Sequence, residues 1–465
     1  MRDLSQLIKA YDVRGLVPEE LNADLARDIG AAFVTVVGAA ASEGGPGAVV
    51  IGHDMRSSGP PLVDAFADGV RSQGCDVVEI GLCSTDGLYF ASGNLGLPGA
   101  MFTASHNPAQ YNGIKMCRIG AAPVGQDSGL KEIRAMLEAH PQGIAAKDVV
   151  AGVVSQRDLL GEYGTFLRNL VDLSAMRRLT VVVDAGNGMA GLTAPAVLGE
   201  LPLTVVPLFF ELDGTFPNHE ANPIDSNNMR ELQAKVREVG ADLGLAFDGD
   251  ADRCFVVDEL GAIVDPSTLT AMIAVRELAK HPGATIIHNL ITSSAVPELV
   301  TEHGGVPVRT RVGHSFIKAE MARTGAVFGG EHSGHFYFRD FWNADSGMLA
   351  ALHVLAALGE TSPETTMSQL LAQYSRYASS GEINSKVRDP ASVLASIRSH
   401  YAAEPAVELS NLDGLTVSGS SWWFNVRPSN TEPLLRLNIE GADEETMVRV
   451  RDEALALIRV GQDGL

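Results

Sequence analysis

Four short stretches of the sequence concentrate residues that can do chemistry. The first, TASHNPAQYNGIK, sets Ser105 beside His106, follows them with a proline turn and ends at Lys115. A serine next to a histidine is the pair that a serine hydrolase uses, so nucleophilic catalysis is one hypothesis. Adjacent residues usually point their side chains apart, however, and no GxSxG elbow surrounds this serine. The stretch predicts a functional serine and leaves its activating group open.

The second stretch, LGLAFDGDADRCFVVD, places Asp248, Asp250 and Asp252 at alternate positions after an apolar strand. In a tight loop, three such carboxylates can turn inward around a hard cation such as Mg²⁺. An EF-hand is an alternative, because Glu259 falls where its twelfth ligand would be, but Arg253 replaces the turn glycine. A haloacid-dehalogenase nucleophile is disfavoured, since Asp252 stands where Thr or Val is usual. A divalent-metal site is the favoured interpretation.

The third stretch, NVRPSNTEPLLR, combines a guanidinium, two hydroxyls and an amide with the N–H groups of a loop. Such a set suits a phosphate group, because these donors can reach several oxygens at once. The donors are Arg427, Ser429, Asn430 and Thr431. An ordinary polar turn between strands is the alternative interpretation.

The fourth stretch, GGEHSGHFYF, offers Glu331 as an acceptor, Ser333 as donor and acceptor, and His335 as a titratable group. Side chains of these types can bind the hydroxyl groups of a sugar. The segment RVGHSFIK, just upstream, adds His314. Either loop alone is equally typical of a solvated surface.

A glycine-rich stretch, VVVDAGNGMAG, satisfies the GxGxxG pattern with Gly186, Gly188 and Gly191, and Glu211 follows about twenty residues later. This pattern is typical of dinucleotide-binding loops, which makes an NAD(P)-dependent oxidoreductase an alternative function. Asp184 opposes it, because its charge would repel a pyrophosphate. A tight strand-to-helix turn is the simpler interpretation.

Composition limits the classes of protein. The formal net charge of −22 disfavours nucleic acid as a partner, since phosphate backbones bind basic faces. If the substrate is an anion, a local basic cluster must attract it against this overall field. The four cysteines show no CxxC spacing and indicate a reducing compartment. We find no apolar signal segment and no uncharged membrane span, which predicts a cytoplasmic protein without membrane contact.

The elements that must position these stretches follow one plan. Residues 47–82, 179–214 and 284–315 each show a short apolar strand, a polar or glycine turn, an amphipathic helix and a second strand. This order predicts βαβ units. Because the plan occurs three times at low mutual identity, it predicts three similar α/β domains.

The C-terminal part follows a different pattern. Alternating residues at 374–389 and 421–442 predict antiparallel strands, and helices are predicted at 390–403 and 443–461. The predicted fold class is therefore α/β, with three similar mixed α/β domains and a C-terminal α+β domain around a central cleft. The predicted domains are residues 1–148, bearing the serine loop, 149–255, binding the metal, 256–366, binding the sugar, and 367–465, binding phosphate.

In this order the stretches closely resemble the α-D-phosphohexomutase family, in particular its bacterial phosphomannomutase/phosphoglucomutase branch. The resemblance runs from AYDVRG at 10–15 to RPSNTEPLLR at 427–436, nearly the whole chain. TASHNP resembles the family's phosphoserine loop, DGDADR its metal loop, GEHSGH its sugar loop and RPSNTEP its phosphate loop. The SNTEP form is similar to this branch, whereas SGTEP is usual in the phosphoglucosamine branch. His332 occupies the variable position of the GExSG loop, which leaves the choice between mannose and glucose open.

The resemblance implies a role for each matched residue. It makes Ser105 the phosphoryl carrier, with His106, Lys115 and His335 as further catalytic residues. It implies that Mg²⁺ is held by the phosphorylated Ser105 together with Asp248, Asp250 and Asp252. The substrate-binding residues that it implies are Tyr11, Arg14, Arg253, His314, Glu331, Ser333, Arg427, Ser429, Asn430 and Thr431.

The implied activity is interconversion of mannose 6-phosphate and mannose 1-phosphate, with glucose phosphates as further substrates. The implied route passes through a phosphoserine enzyme and a hexose 1,6-bisphosphate, and the partners are these hexose phosphates, in a monomer or homodimer. Phosphoglucosamine mutase is the alternative within the family. A non-catalytic sugar-phosphate-binding protein and the NAD(P)-dependent oxidoreductase are alternatives outside it.

Overall fold

The structure, a computed structural model, describes residues 4–9, 11–402, 404, 406–428 and 434–460. The chain divides into two units. The first comprises Met1–Pro266, Met321–Phe328 and Ser333–Leu370, and the second comprises Ser267–Glu320, Gly329–His332 and Leu371–Leu465. The four domain boundaries expected from the sequence stay a prediction.

Strands and helices alternate through most of the described residues. The strands are β1 (Val13–Leu16), β2 (Ala48–His53), β3 (Asp76–Leu82), β4 (Gly99–Phe102), β5 (Tyr111–Cys117), β6 (Val154–Gln156), β7 (Leu179–Asp184), β8 (Leu203–Leu208), β9 (Leu243–Phe247), β10 (Cys254–Asp258), β11 (Thr285–Asn289), β12 (Val306–Thr310), β13 (Phe328–Gly330), β14 (Phe336–Phe338), β15 (Ala344–Asp345), β16 (Ala378–Lys386), β17 (Glu408–Ser410), β18 (Leu415–Ser418), β19 (Trp422–Pro428) and β20 (Leu434–Gly441). The helices are α1 (Ala23–Val37), α2 (Gly59–Arg71), α3 (Thr85–Leu95), α4 (Lys131–Ala139), α5 (Leu160–Leu170), α6 (Ala190–Leu198), α7 (Arg230–Val239), α8 (Pro266–Lys280), α9 (Ala295–Glu302), α10 (His314–Thr324), α11 (Gly347–Gly359), α12 (Met367–Leu371), α13 (Pro390–Tyr401) and α14 (Glu444–Arg459).

The three predicted βαβ units are present. They are β2-α2-β3, β7-α6-β8 and β11-α9-β12, and in each the two strands pair in parallel. Parallel pairing requires a crossover connection, and a helix packed on the sheet supplies it. The middle of β2 is accordingly a continuous buried apolar run, VVI, because both faces of the sheet are covered there.

The first sheet of the first unit has the order β1-β5-β4-β2-β3-β6. Strands β2, β3, β4 and β6 pair in parallel, whereas β5 is antiparallel to both β4 and β1. Helix α1 begins after Asn22, whose side chain accepts the Leu25 N–H, and ends at Gly38 in the left-handed conformation. Phe66 of α2 packs edge-on against Phe102 at 5.4 Å, which joins this helical layer to the end of β4. The loop that follows β4 and carries Ser105 therefore begins at a well-packed residue.

The second sheet, with the order β10-β9-β7-β8, positions the acidic stretch. Strands β9 and β10 form an antiparallel pair in which Phe247 lies opposite Cys254, and every residue of both strands is buried. Residues 248–253 are the turn of this hairpin. The three aspartates are thus carried by a tight connection between two buried strands rather than by a flexible loop.

Two apolar helices of the first unit are core elements. Every residue of α11 is buried, and Ser346 caps its first turn by accepting the Leu349 N–H at 3.0 Å.

By length and composition alone, the stretch Ala23–Glu43 could cross a membrane, whereas the sequence predicted no membrane span. Inside the fold 56% of its apolar window is buried, and a buried core helix passes the same test, so a single such stretch is weak support for a span.

The second unit contains the antiparallel sheet β16-β20-β19-β18-β17. Strands β16, β19 and β20 and helices α13 and α14 lie where the sequence pattern predicts them. Strands β17 and β18 were not predicted, because each is short and lacks a clear alternation. The buried faces of this sheet and of α13 and α14 form one core that includes Ile397, Phe424 and Val450.

The glycine-rich stretch after β7 is a tight turn, as the simpler interpretation proposed. Asp184 Oδ1 accepts the Gly186 N–H at 2.9 Å, so the carboxylate itself occupies one amide that a pyrophosphate would need. Asp184 Oδ2 lies 3.1 Å from Nε2 of His219, whose Nδ1 lies 2.8 Å from the carbonyl oxygen of Glu220. Acceptors at both ring nitrogens favour the imidazolium form. Burial opposes protonation, but the hydrogen bond and charge of Asp184 outweigh it and raise the pKa of His219.

We expect the contribution of His219 to stability to disappear at alkaline pH. Because its pKa is raised on folding, the stabilisation is complete below about 6.5 and is lost as the pH rises through the folded-state pKa. The variant His219→Gln keeps a donor but cannot titrate. The difference in unfolding free energy between wild type and variant, no more than about 1 kcal/mol at pH 6, should shrink by pH 9 in urea unfolding. The exposed His140→Gln is the control, and a difference that does not change with pH contradicts the assignment.

Candidate active site

Ser105 lies in the loop between β4 and β5 and is nearly buried, with 2% of its surface exposed. Its φ of 49° is in the left-handed region, which a residue with a side chain rarely adopts, and its N–H donates to Thr103 Oγ1 at 2.9 Å. The turn of the β9–β10 hairpin approaches this loop closely. A Cβ at Gly249 would lie 2.4 Å from the Ser105 carbonyl oxygen, so the approach requires glycine.

The three predicted metal ligands converge beside this serine. Asp248, Asp250 and Asp252 are buried, and one oxygen from each lies within 4.8 Å of the others. Ser105 Oγ donates to Asp248 Oδ2 at 2.8 Å. Asp250 Oδ1 is buried and has no hydrogen-bond partner within the part of the chain that the structure describes. An all-oxygen set with an unsatisfied carboxylate oxygen fits a hard divalent cation.

Lys115 supplies charge to the same cluster from β5. Its Nζ lies 2.6 Å from Asp250 Oδ2 and 2.6 Å from Asp252 Oδ2. Burial opposes the charge of the lysine, but the two carboxylates raise the pKa of Lys115 above its usual value. Burial and the neighbouring carboxylates raise the pKa of Asp248, whereas Lys115 and His335 overcome burial and hold that of Asp252 well below its usual value.

The geometry around His106 does not support a serine-hydrolase pair. Arg253 Nη2 lies 2.8 Å from Nδ1 of His106, so this nitrogen accepts a hydrogen bond from the arginine. Ser105 Oγ is 3.3 Å from the same nitrogen and donates to Asp248 instead. Burial and the charge of Arg253 hold the pKa of His106 well below its usual value. His106 is thus a neutral neighbour of the serine, and its acceptor is already in use.

His335 also reaches the acidic cluster. An isolated antiparallel bridge pairs it with Arg253, which holds the loop before β14 against the aspartate hairpin. Its Nε2 lies 3.4 Å from Asp252 Oδ1, and its Nδ1 lies 2.9 Å from Ser333 Oγ. Burial disfavours its protonation, but Asp252 raises the pKa of His335 overall. The sequence placed His335 in the sugar loop and the family resemblance made it a catalytic residue; the structure brings it beside Asp252, a predicted metal ligand.

The predicted residues near the N-terminus lie beside the serine loop. Arg14, in β1, donates through Nη1 to Asn107 Oδ1 at 2.6 Å and through Nη2 to Asp12 Oδ2 at 2.5 Å. Tyr11 precedes this strand and is partly exposed. A second guanidinium, that of Arg253, forms an ion pair with Asp248 at 3.2 Å. Two guanidinium groups thus lie near the serine loop, each paired with a carboxylate.

Of the remaining predicted substrate residues, Ser333 belongs to the first unit and the others belong to the second. Glu331 is 2% exposed and accepts from Asn289 Nδ2 and from the Gly313 N–H, both at 3.2 Å. Arg427, in β19, donates to Glu382 Oε2 at 2.6 Å and to Asn438 Oδ1 at 3.0 Å. The predicted residues Ser429, Asn430 and Thr431, and the side chain of His314, lie outside the described residues.

Sequence reasoning missed Arg56, whose guanidinium binds the backbone of the loop that carries Ser105. The guanidinium is buried, with Nε 3.2 Å from Asp54 Oδ2. Its two Nη atoms donate to four backbone carbonyl oxygens, those of Ser105, Asn107, Pro108 and Tyr111, at 2.7 to 3.0 Å. All five N–H donors are therefore used. The polar HDMR segment at the end of β2 was the only sequence feature that could have indicated Arg56. It could not predict these partners, because every residue has a backbone carbonyl and no sequence pattern marks the ones that accept a hydrogen bond.

The EF-hand alternative fails on geometry. Glu259, the proposed twelfth ligand, accepts the Ser368 N–H at 2.9 Å and so is engaged elsewhere. The three aspartates are followed directly by β10 rather than by a helix.

Comparisons with known proteins match the chain over almost its full length. Four family descriptions fit consecutive segments, all named for phosphoglucomutase/phosphomannomutase. They are alpha/beta/alpha domain I at residues 5–143, alpha/beta/alpha domain II at 162–261, alpha/beta/alpha domain III at 265–377 and the C-terminal domain at 382–457. The predicted fold class, three similar mixed α/β domains followed by a C-terminal domain, is confirmed.

Individual relatives agree with these matches. A protein named "Phosphohexose mutases" from Xanthomonas campestris pv. campestris is 41% identical, over 96% of this chain and 98% of that protein. A phosphomannomutase from Salmonella montevideo is 38% identical, over 96% and 97%. The crystal structure of a phosphoglucomutase/phosphomannomutase family protein from Burkholderia thailandensis is similar with a TM-score of 0.87 at 34% identity, over 99% of this chain and 98% of that chain.

Fold, site and relatives together define an isomerase of the mutase class, which moves a phosphoryl group within a hexose phosphate. The chain belongs to the phosphoglucomutase/phosphomannomutase family.

We expect the variant Arg56→Lys to damage both stability and turnover. A lysine has three donors on one nitrogen, so at least one buried carbonyl is left unsatisfied, at a cost of about 2 kcal/mol or more. Because Ser105 would then shift, kcat should fall by about tenfold or more. Urea unfolding and kcat are measured on the same preparation. The partly exposed Arg134→Lys, on α4, should stay within about 0.5 kcal/mol, and equal results for the two variants would refute the assignment.

Proposed function

We propose that the enzyme interconverts mannose 6-phosphate and mannose 1-phosphate, and also the glucose phosphates, through a phosphorylated Ser105. The observation that carries the proposal is the environment of this serine. Its hydroxyl donates to Asp248, within a buried acidic cluster that Lys115 partly neutralises. A hydroxyl without a free base beside it suits a phosphoryl carrier better than a hydrolytic nucleophile.

The cofactor that suits this cluster is Mg²⁺, which prefers carboxylate and phosphate oxygens. Asp248, Asp250 and Asp252 would hold it together with the phosphate on Ser105. When bound, it neutralises charge on the phosphoryl group that is transferred.

Lys115 and Arg253 line the same cluster and place positive charge beside the serine. Lys115 is tied to two carboxylates, which suits it to stabilise the charge of the transferred phosphoryl group. His335 and Lys115 are both candidates to accept the proton of the attacking sugar hydroxyl.

The mutase cycle also requires a grip on the phosphate that is not reacting. Arg427 is the structural anchor for this role, since Glu382 and Asn438 hold its guanidinium in place. By family resemblance, Ser429, Asn430 and Thr431 add donors. Glu331 and Ser333 would bind the sugar hydroxyls, with His314, Tyr11 and Arg14 as further contacts. The bisphosphate then turns over so that its second phosphate faces Ser105.

Two further parts of the proposal concern substrate and setting. Phosphoglucosamine mutase activity is the alternative within the family, and the SNTEP form of the phosphate loop argues against it. We propose a cytoplasmic enzyme, monomeric or homodimeric. The NAD(P)-dependent alternative has lost its support, because Asp184 closes the glycine-rich turn.

The phosphoserine can be tested by intact mass. The purified enzyme should carry about 80 Da of extra mass, which is lost on incubation with excess mannose 6-phosphate. The variant Ser105→Ala should lack this mass and lose activity by about 10³-fold or more, because the phosphoryl carrier is gone. Ser399→Ala, on the exposed surface of α13, is the matched control. Substantial turnover by Ser105→Ala would overturn the proposed mechanism.

The metal and the sugar can be tested together by steady-state kinetics. Removal of divalent cations with EDTA should abolish turnover. Added Mg²⁺ should restore it, because the cation neutralises negative charge on the buried carboxylates and on the transferred phosphoryl group. Values of kcat/KM for mannose, glucose and glucosamine phosphates compare the transition-state binding of the three sugars. We expect mannose and glucose phosphates to exceed glucosamine phosphate. Turnover that survives EDTA contradicts the metal assignment, and a preference for glucosamine phosphate contradicts the substrate assignment.

A further inference from the structure

The N-terminus of α3 is docked on the aspartate hairpin. Thr85, the first residue of this helix, is fully buried. Its N–H donates to the carbonyl oxygen of Asp250 at 3.0 Å, and its Oγ1 donates to Asp250 Oδ2 at 2.6 Å. No motif in the sequence marks this threonine. Its contact with Asp250 joins residues that are 165 positions apart.

The two oxygens of Asp250 have different environments. Oδ2 accepts two hydrogen bonds, from Thr85 Oγ1 and from Lys115 Nζ, both at 2.6 Å. Oδ1 is buried and has no hydrogen-bond partner among the described residues. Two donors on one oxygen fix the plane of the carboxylate and leave the other, buried oxygen available to a further ligand. A carboxylate that binds a metal through one oxygen commonly has its other oxygen held by hydrogen bonds from neighbouring donors. The two oxygens of Asp250 are arranged in this way.

The helix that carries Thr85 is itself rigidly held. Asp86, the next residue, accepts from the Tyr163 hydroxyl at 2.8 Å and from Ser346 Oγ at 2.6 Å. Ser84 caps the helix by accepting the Gly87 N–H at 3.1 Å. Thr85 is therefore fixed to α5 and to the start of α11 through its neighbour. A donor on a rigid element positions its acceptor more accurately than a donor on a loop.

The charge at the start of α3 also favours its contact with the aspartate hairpin. The N-terminal end of α3 is the positive end of its dipole, and it lies against a cluster of three buried carboxylates. The Thr85 N–H is one of the first-turn donors that have no partner within the helix, and the Asp250 carbonyl satisfies it. Docking on the hairpin thus satisfies the helix end and favours ionised aspartates.

We propose that Thr85 is a positioning residue for the metal site: its hydroxyl takes one oxygen of Asp250, so that the other is presented to the cation. The proposal rests on the metal-dependent mechanism proposed above. It also means that packing of α3 against the hairpin and metal affinity are coupled, since the same hydrogen bond serves both.

The test is metal affinity rather than turnover. Thr85→Val keeps the shape of the side chain and removes its hydroxyl, whereas Thr85→Ser keeps the hydroxyl. The probe is Mn²⁺, which prefers the same oxygen ligands as Mg²⁺, and free Mn²⁺ is counted by EPR during titration of the purified enzyme. We expect the Kd for Mn²⁺ to rise by about 10- to 100-fold in Thr85→Val and to stay within about threefold of wild type in Thr85→Ser.

A buried threonine elsewhere provides the matched control. Thr416, in β18 of the second unit, is 2% exposed, and its hydroxyl accepts from Asn425 Nδ2 at 3.0 Å. Thr416→Val should lower the melting temperature without changing the Kd for Mn²⁺. If Thr85→Val behaves in the same way, the residue is merely structural and the inference is wrong.

A second comparison separates this inference from the proposed function. Wild type should bind Mn²⁺ at one site, and Asp250→Asn should weaken that binding. If Asp250→Asn has no effect, the proposed metal site fails and the role of Thr85 fails with it. If Asp250→Asn weakens binding while Thr85→Val does not, the metal site stands and only the positioning role is overturned.

Discussion

The structure depends most on the burial of three carboxylates in a single hairpin turn. Asp248, Asp250 and Asp252 lie close together where water cannot screen them, and like charges in such a place repel strongly. Two cations of the chain, Lys115 and Arg253, offset this repulsion through short ion pairs. Asp250 Oδ1 has no hydrogen-bond partner among the described residues, so the cluster could hold a divalent cation in addition to these salt bridges.

The loop that carries Ser105 is built to meet this cluster. A left-handed serine is costly, so the surrounding structure must hold it in place. Arg56 does so through four backbone carbonyls, and Gly249 lets the hairpin turn approach without a clash. In this position the serine hydroxyl donates to Asp248 Oδ2 at 2.8 Å. A phosphoryl group on that oxygen would therefore lie next to the three carboxylates, because both loops are fixed by buried contacts.

Sequence reasoning succeeded where a local pattern carries the information. Continuous apolar runs separated by amphipathic segments identified the three βαβ units, and alternate aspartates after an apolar strand identified the acidic turn. It failed where the partner is distant or has no side-chain signature. Arg56 binds carbonyl oxygens and Thr85 binds a carboxylate far along the chain. The short strands β17 and β18 are defined by cross-strand pairing, β18 with β19 and β17 with β18. His335 was recognised as a titratable group, but its place beside Asp252 depends on a bridge between two distant loops.

By itself, the sequence determined the fold class, the family and the types of residue in the site, because each of these follows from patterns within short segments. It determined that three carboxylates, a serine and a lysine are available. The tertiary structure decided how they are used. Lys115 and Thr85 lie 135 and 165 positions from Asp250, and only folding brings both to the same oxygen. The physical reason is that hydrogen-bond direction decides which oxygen of a carboxylate is left to bind a cation, and direction is a property of three-dimensional packing alone.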